Sequence, residues 1–165
     1  MRINPSSKPL KITMETLTIP QAGTSAPNFT AQTTSGKIVH LRDFQGKKLV
    51  LYFYPKDDTP GCTVEACGLR DEYQKIREQG AEVLGVSVDS TESHQKFTEK
   101  FHLPFPLLAD TEKTVSKAYG VLNEKGSSRR VTFLIDEHGK ILKTFDPVKP
   151  AEHTQEILDA LRSKR

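Results

Sequence analysis

Pro55-Lys-Asp-Asp-Thr-Pro-Gly-Cys-Thr-Val-Glu-Ala-Cys67 follows directly on the longest apolar run of the chain, Leu49-Val-Leu-Tyr-Phe-Tyr54. That run is far shorter than the about 20 residues of a membrane helix. It has the length and aromatic content of a strand buried on both faces. Thr59-Pro60 then opens a helix, with the residue types preferred at the N-cap and first helical position. A buried strand running through a short loop into a helix N-terminus is the building unit of an α/β sheet. The carboxyl ends of such strands are where these proteins place ligands.

Outward from this stretch, the pattern continues as α/β. Thr63 to Gln79 carries Val64, Cys67 or Gly68, Tyr73 and Ile76 at helical spacing, with Gly80 as C-cap. Val83 to Val88 reads as a second buried strand. Ser90 or Thr91 caps a helix to about Phe101, a largely solvated amphipathic segment. Leu107-Leu108 is a short extended piece, and Glu112 to Tyr119 a short helix closed by Gly120. Arg130 to Ile135 and Lys140 to Phe145 form a hairpin across Asp136-Glu-His-Gly139, and Ala151 to Arg162 is a final amphipathic helix. Upstream, Ala26 to Thr30 and Ile38 to Leu41 are extended segments split by Thr34-Ser-Gly36. The sum is a central mixed sheet with helices on both faces. A right-handed crossover makes the strands before and after the Thr59 helix parallel.

Hydrophobic residues make up 35% of the 165 positions and charged ones 27%, which suits one soluble globular domain rather than a disordered or membrane chain. We expect residues 1–22 to be a flexible extension and 23–165 a single domain. The net charge of +3 comes from 24 basic and 21 acidic residues spread along the chain. That is too weak and too scattered for nucleic acid as the main partner. With no apolar stretch of signal or membrane length, a cytoplasmic location and no membrane partner are expected.

The chain has only two cysteines, five positions apart. In a reducing compartment such a pair is more often catalytic or metal-binding than structural. Cys62 falls in the first helical turn, beside unpaired N–H groups and the positive end of the helix dipole, which favour thiolate over thiol. Cys67 could serve chemistry or simply fill core. A thioredoxin-type dithiol would need Cys-x-x-Cys, and position 65 is Glu. A cysteine hydrolase needs a histidine base, and none of the five histidines lies in an obvious strand-end loop. Zinc needs about four ligands at paired spacings, and no second cluster is present. Attack on a peroxide remains. It needs a hydroxyl to orient the peroxide, N–H donors and a cation for charge on the leaving oxygen. Thr59 offers the hydroxyl, Gly61 and Cys62 the N–H groups, and Pro55 a shield that brings no donor.

Pro55-x-x-x-Thr59-x-x-Cys62 resembles the active-site signature of peroxiredoxins. The run Thr59-Pro-Gly-Cys-Thr-x-Glu-Ala-Cys-x-x-Arg-Asp71 looks like the PrxQ, or bacterioferritin comigratory protein, type. The resemblance extends over about residues 23–161. It implies a thioredoxin-like fold with an added N-terminal hairpin. It makes Cys62 the peroxidatic cysteine, Cys67 the resolving cysteine of an intramolecular disulfide, Thr59 the orienting hydroxyl and Pro55 the pocket shield. It makes Arg130, three residues before Phe133, the catalytic arginine and Glu65 the carboxylate that holds it. The implied activity is reduction of hydrogen peroxide or an alkyl hydroperoxide, with a dithiol protein such as thioredoxin as reductant. No metal, haem or flavin cofactor is called for, and a monomer or weak dimer is expected. Leu69 stands where relatives often carry an aromatic. A glutathione peroxidase-like enzyme would want a tryptophan, and the chain has none. A copper-delivery protein of similar fold would want a closer cysteine pair with a downstream histidine. A redox sensor or holdase, switched by cysteine oxidation, is the rival of another class.

Helix geometry adds one expectation. Residues five apart in a regular helix have Cα atoms about 8.6 Å apart, beyond the roughly 7 Å a disulfide tolerates. An intact helix therefore keeps Cys62 and Cys67 from bonding.

Overall fold

The computed structural model describes residues 19–162. The sequence's N-terminal extension lies mostly outside that range.

A seven-stranded mixed sheet forms the centre, with strand order β2-β1-β5-β4-β3-β6-β7. The strands are β1 Thr30–Thr33, β2 Ile38–His40, β3 Lys48–Phe53, β4 Ala81–Ser87, β5 Leu107–Ala109, β6 Val131–Ile135 and β7 Ile141–Phe145. The helices are α1 Pro60–Asp71, α2 Tyr73–Glu78, α3 Thr91–Phe101, α4 Thr114–Ala118 and α5 His153–Arg162. The α/β class and the parallel β3–β4 pairing follow the sequence reading. So do the antiparallel β6–β7 hairpin and the β1–β2 hairpin, which joins the sheet through β5.

β3 shows why the apolar run decides the fold. Its side chains alternate between two cores. Val50, Tyr52 and Tyr54 meet Cys62, Leu69, Ile76, Phe97 and Ile157 on one face. Leu49, Leu51 and Phe53 meet Val86, Val115, Tyr119 and Phe133 on the other. Each such side chain removed from water contributes about 1.5–3 kcal/mol, so a strand buried on both faces is strongly pinned.

Four local expectations are corrected. Residues 26–29 form no strand; Ala26 N–H instead donates to the Gly139 carbonyl at 2.8 Å, tying the segment to the β6–β7 turn. The helix opens at Pro60, as Thr59-Pro60 predicts, but the single helix expected to run on to Gln79 breaks at Glu72, whose φ of −108° and ψ of 12° leave the helical region. No residue type in the sequence marks that break, which frees Tyr73 to hydrogen-bond Glu82 beside β4. The stripe that this helix turns inward is Cys62, Glu65, Ala66 and Leu69. Val64 is thereby turned outward, at 48% exposure. Finally, the helix read as a solvated face buries His94 and Phe97. Gly80 sits past α2 at φ +79°, a left-handed conformation that glycine adopts without strain.

Candidate active site

The site forms where β3 ends. Tyr54 continues the ladder by donating its N–H to the Val86 carbonyl. The chain then turns through Pro55–Asp58 into α1. Thr59 occupies the N-cap with extended backbone, and its carbonyl accepts the first helical bond from Thr63 N–H at 2.8 Å. Its side chain does not cap the helix. The Thr59 hydroxyl donates to the Lys56 carbonyl at 2.9 Å, closing the loop and leaving its oxygen lone pairs as acceptors.

Cys62 is the third residue of α1 and is buried. By position, the N–H groups of Gly61 and Cys62 have no intrahelical acceptor. Cys67 is half-buried further along the same unbroken helix, and both thiols are free.

Arg130 reaches this corner through strand register. Phe53 pairs with Val131 across the antiparallel β3–β6 ladder, so Arg130 comes level with the end of β3. Neighbouring residues on an extended chain point to opposite sides, which separates the two arginines. Arg129 points out and makes a forked pair with Asp146 at 3.0 Å. Arg130 points in, with its side chain 21% exposed, and donates from Nη1 to Glu65 Oε1 at 3.0 Å. Burial pulls the Arg130 pKa down, but the charge and hydrogen bonding of Cys62 and Glu65 outweigh it and raise it. The guanidinium is thus held charged against the Cys62 sulfur. A Cβ added at Gly61 would stand 2.9 Å from Arg130 Nη2, so glycine is needed there for this close approach.

Glu65 is fully buried, and burial pushes its carboxyl up to about 7 although Arg130 pulls the other way. Its second oxygen, Oε2, lies 3.7 Å from His153 Nε2. That contact is no ion pair near neutral pH, because burial, and then the Arg130 charge, hold the His153 ring down to about 4. His153 Nε2 instead bonds the Thr132 hydroxyl at 2.7 Å. Tyr52 completes the cluster, its pKa raised by burial and then by Glu65 and Cys62.

The sequence reading gave His153 no place at the site; it reaches Glu65 from the first turn of α5 rather than from a strand-end loop. The signal was available: His153, Ile157, Leu158 and Leu161 share one helical face. No hydrogen bond or ion pair joins His153 to Cys62 among the described residues, so the hydrolase reading gains nothing. Asp57, Asp89 and His94 bring ligand-type atoms within 4.8 Å of one another. Hydrogen bonds already engage the converging atoms: Ser93 and His94 bond Asp57 Oδ2, and Ser87 and the Asp57 N–H bond Asp89 Oδ2.

A thiol at a helix N-terminus, braced by a half-buried arginine on a thioredoxin-like sheet, defines a thiol-chemistry enzyme. The AhpC/TSA family model matches residues 22–144. Peroxiredoxin Bcp of Bacillus subtilis is 43% identical over 149 residues, 86% of this chain and 95% of that protein. Peroxidoxin BcpB of Mycobacterium tuberculosis superposes with a TM-score of 0.82 at 32% identity, covering 88% of this chain and 98% of that one. A Xanthomonas campestris bacterioferritin comigratory protein, solved in a study of its alkyl peroxide reduction activity, gives 0.79 at 32% identity over 87% and 96%. The chain belongs to the AhpC/TSA family, as a peroxiredoxin of the Bcp or PrxQ type. Its activity is that of a thiol-dependent peroxidase. Among the described residues no helix is long and apolar enough to cross a membrane.

Proposed function

We propose that Cys62 is the peroxidatic cysteine and Cys67 the resolving one, acting on hydrogen peroxide and alkyl hydroperoxides. The observation that carries this reading is the charged Arg130 against a buried thiol in the first turn of α1. The Cys62 thiolate attacks the terminal peroxide oxygen and breaks the O–O bond. Sulfenic acid forms on Cys62, and the alkoxide or hydroxide leaves and takes up a proton. Arg130 and the free N–H groups of Gly61 and Cys62 stabilise the charge growing on the leaving oxygen. Thr59 orients the peroxide, Pro55 shields the pocket and Glu65 aims Arg130. The Xanthomonas relative's alkyl peroxide activity supports the organic substrates.

The Cys67 thiol then condenses with the sulfenic acid, forming a disulfide and releasing water. An intact α1 holds the two Cα atoms about 8.6 Å apart, so this step opens the first turns of the helix. The opened segment presents the disulfide to a dithiol protein of thioredoxin type, which takes it over by exchange. The catalytic unit spans 23–165, acts as a monomer or weak dimer and works in the cytoplasm.

Stopped-flow oxidation of wild type, Cys62→Ser and Cys67→Ser, with mass spectrometry of the products, tests the assignment. Cys62→Ser should lose peroxidase activity. Cys67→Ser should consume one equivalent of peroxide quickly and then stall with thioredoxin. A Cys67→Ser variant that cannot consume that equivalent overturns the roles. Slow, uncoupled peroxide loss in wild type would point to the sensor reading.

A further inference from the structure

Asp57 lies at the centre of the Pro55–Thr59 loop and does no chemistry in the reading above. It is nonetheless buried, and its carboxylate gathers three side chains. Tyr54 Oη donates to Oδ1 at 2.6 Å, Ser93 Oγ donates to Oδ2 at 2.7 Å, and His94 Nδ1 lies 2.7 Å from Oδ2. The Asp57 N–H donates to Asp89 Oδ2 at 2.9 Å, and Ser87 Oγ holds that same oxygen at 2.6 Å. On its other side, His94 Nε2 lies 2.8 Å from the Leu108 carbonyl of β5. A carbonyl can only accept, so Nε2 carries a proton and the ring orientation is fixed. Nδ1 then faces a carboxylate at charge-assisted distance.

The next residue, Asp58, has φ +58°, a left-handed conformation outside glycine. Such a conformation is strained and persists where its surroundings fix it. That bend turns the chain from Asp57 toward Thr59. The loop thus carries Pro55 and Thr59 on a frame that the Asp57 carboxylate ties to α3 and, through His94, to β5, and that the Asp57 N–H ties through Asp89 to Ser87 of β4.

We propose that the Asp57–His94 pair is a positioning device of the peroxide pocket, fixing the loop so that Thr59 and Pro55 keep their places beside the Cys62 sulfur. This rests on the reading of Thr59 and Pro55 as pocket residues. Both Asp57 and His94 are positioning residues, since they bond the frame and not the reacting atoms. The pair serves the peroxide-specific part of the site, whereas Arg130 and the helix N-terminus serve the thiolate itself. Losing it should therefore slow reactions that need an oriented peroxide and spare those that need only the thiolate.

The test uses Asp57→Asn and His94→Gln in a Cys67→Ser background, where Cys62 is the only thiol. Two second-order rates are read for each: oxidation by hydrogen peroxide, and alkylation by iodoacetamide, which needs no pocket. Peroxide oxidation should fall about 10- to 100-fold while alkylation stays within about twofold. A peroxide rate left unchanged, or both rates falling together, overturns the proposal. Should Asp57→Asn and His94→Gln fail to fold, Ser93→Ala and Tyr54→Phe each delete one hydrogen bond to Asp57. Each should then lower the peroxide rate alone by roughly 3- to 10-fold, and no change in either is equally fatal. Thr59→Val, in the same assay, separates the two layers. If it leaves peroxide oxidation untouched, the pocket reading fails; if it slows oxidation and Asp57→Asn does not, only the positioning inference fails.

Discussion

On the loop side of Cys62, the Asp57 carboxylate takes hydrogen bonds from Tyr54, Ser93 and His94, and the buried polar side-chain atoms of the cluster are matched. On the helix side, beneath α1, Tyr52 Oη, Glu65 Oε2 and His153 Nδ1 are buried without a hydrogen-bond partner among the described residues. A buried polar group left unmatched costs about 1–3 kcal/mol, whereas a matched one is close to neutral or better. The contrast fits two duties. On the proposed reading the loop orients a substrate and keeps one geometry throughout, while the helix holds the thiolate and later opens, since its intact geometry keeps the two cysteines apart. Imperfect matching under α1 would then lower the free energy needed for that opening. Four changes separate the two duties.

The largest effect is expected from Arg130, which faces both Cys62 and Glu65 of α1. Arg130→Met removes the cation beside Cys62 and strands Glu65 without its 3.0 Å partner. Loss of one preorganised donor to developing charge costs about 100- to 1000-fold in rate. Single-turnover peroxide oxidation should fall by that amount. An unchanged rate would return Arg130 to a structural pairing with Glu65.

Next comes the pH dependence of the helix side. The Glu65 carboxyl sits at about 7 when folded, against an ordinary 4.5. An acid raised by folding contributes stability that is fully present below about 4.5 and is lost as pH rises through about 7, because the unfolded chain releases its proton first. The shift corresponds to about 3 kcal/mol. His153 acts with the opposite sign: its ring is held at about 4 against 6.5, so its contribution is present above 6.5 and lost as pH falls through about 4. Between about pH 4.5 and 6.5 the two slopes oppose, so urea unfolding of the reduced wild type should show little pH dependence there from this pair. Glu65→Gln removes the falling contribution and leaves that of His153, so the variant should gain stability as pH rises from about 4 to 6.5. A variant as flat as wild type over that window would remove Glu65 from the explanation.

These residues also mark what the sequence could reveal. The onset of α1 was legible because Thr59-Pro60 is a local signal of cap and first turn. The β6–β7 hairpin was legible from alternating patterning around Asp136-Glu-His-Gly139, and its register carries Arg130 to the end of β3. Burial of Glu65 and His94 was not legible. Both residue types are usually solvated, and only long-range packing supplies the partners that make burial tolerable. Arg130 is 65 residues from Glu65, and Asp57 is 37 from His94. The Thr59 hydroxyl was placed in sequence but not in bonding, because cap and loop-closing bonds are both open to a threonine there.

A smaller effect is expected at Gly61, where stability and activity should part. Gly61 lies inside α1, so alanine there gains up to about 1 kcal/mol of helix propensity. The new methyl would stand 2.9 Å from Arg130 Nη2, and the flexible guanidinium would yield. Gly61→Ala should therefore melt at an equal or higher temperature while peroxide oxidation falls about tenfold. A variant that loses both stability and rate would mean that the backbone, not Arg130, had moved.

The smallest change is the removal of one oxygen atom. Tyr52 Oη is buried under α1 without a hydrogen-bond partner among the described residues, while its ring stacks on Tyr54 and meets Phe105 edge-on. Tyr52→Phe keeps the ring contacts and deletes only the unmatched hydroxyl. If that hydroxyl penalises the closed helix, its removal stabilises the closed form by about 1 kcal/mol, which makes opening about fivefold rarer. The first peroxide reaction takes place in the closed form and should keep its rate. Formation of the Cys62–Cys67 disulfide waits on opening and should slow about fivefold. Sulfenic acid would then live longer, and excess peroxide would convert more of it to sulfinic acid. Rapid-quench mass spectrometry resolves the sulfenic, disulfide and sulfinic forms over time, and amide exchange across α1 reports the opening itself. Slower disulfide formation with stronger protection of α1 supports the contrast between the two sides. Disulfide formation at the wild-type rate, with unaltered exchange, would show that the unmatched Tyr52 hydroxyl has no part in letting the helix open.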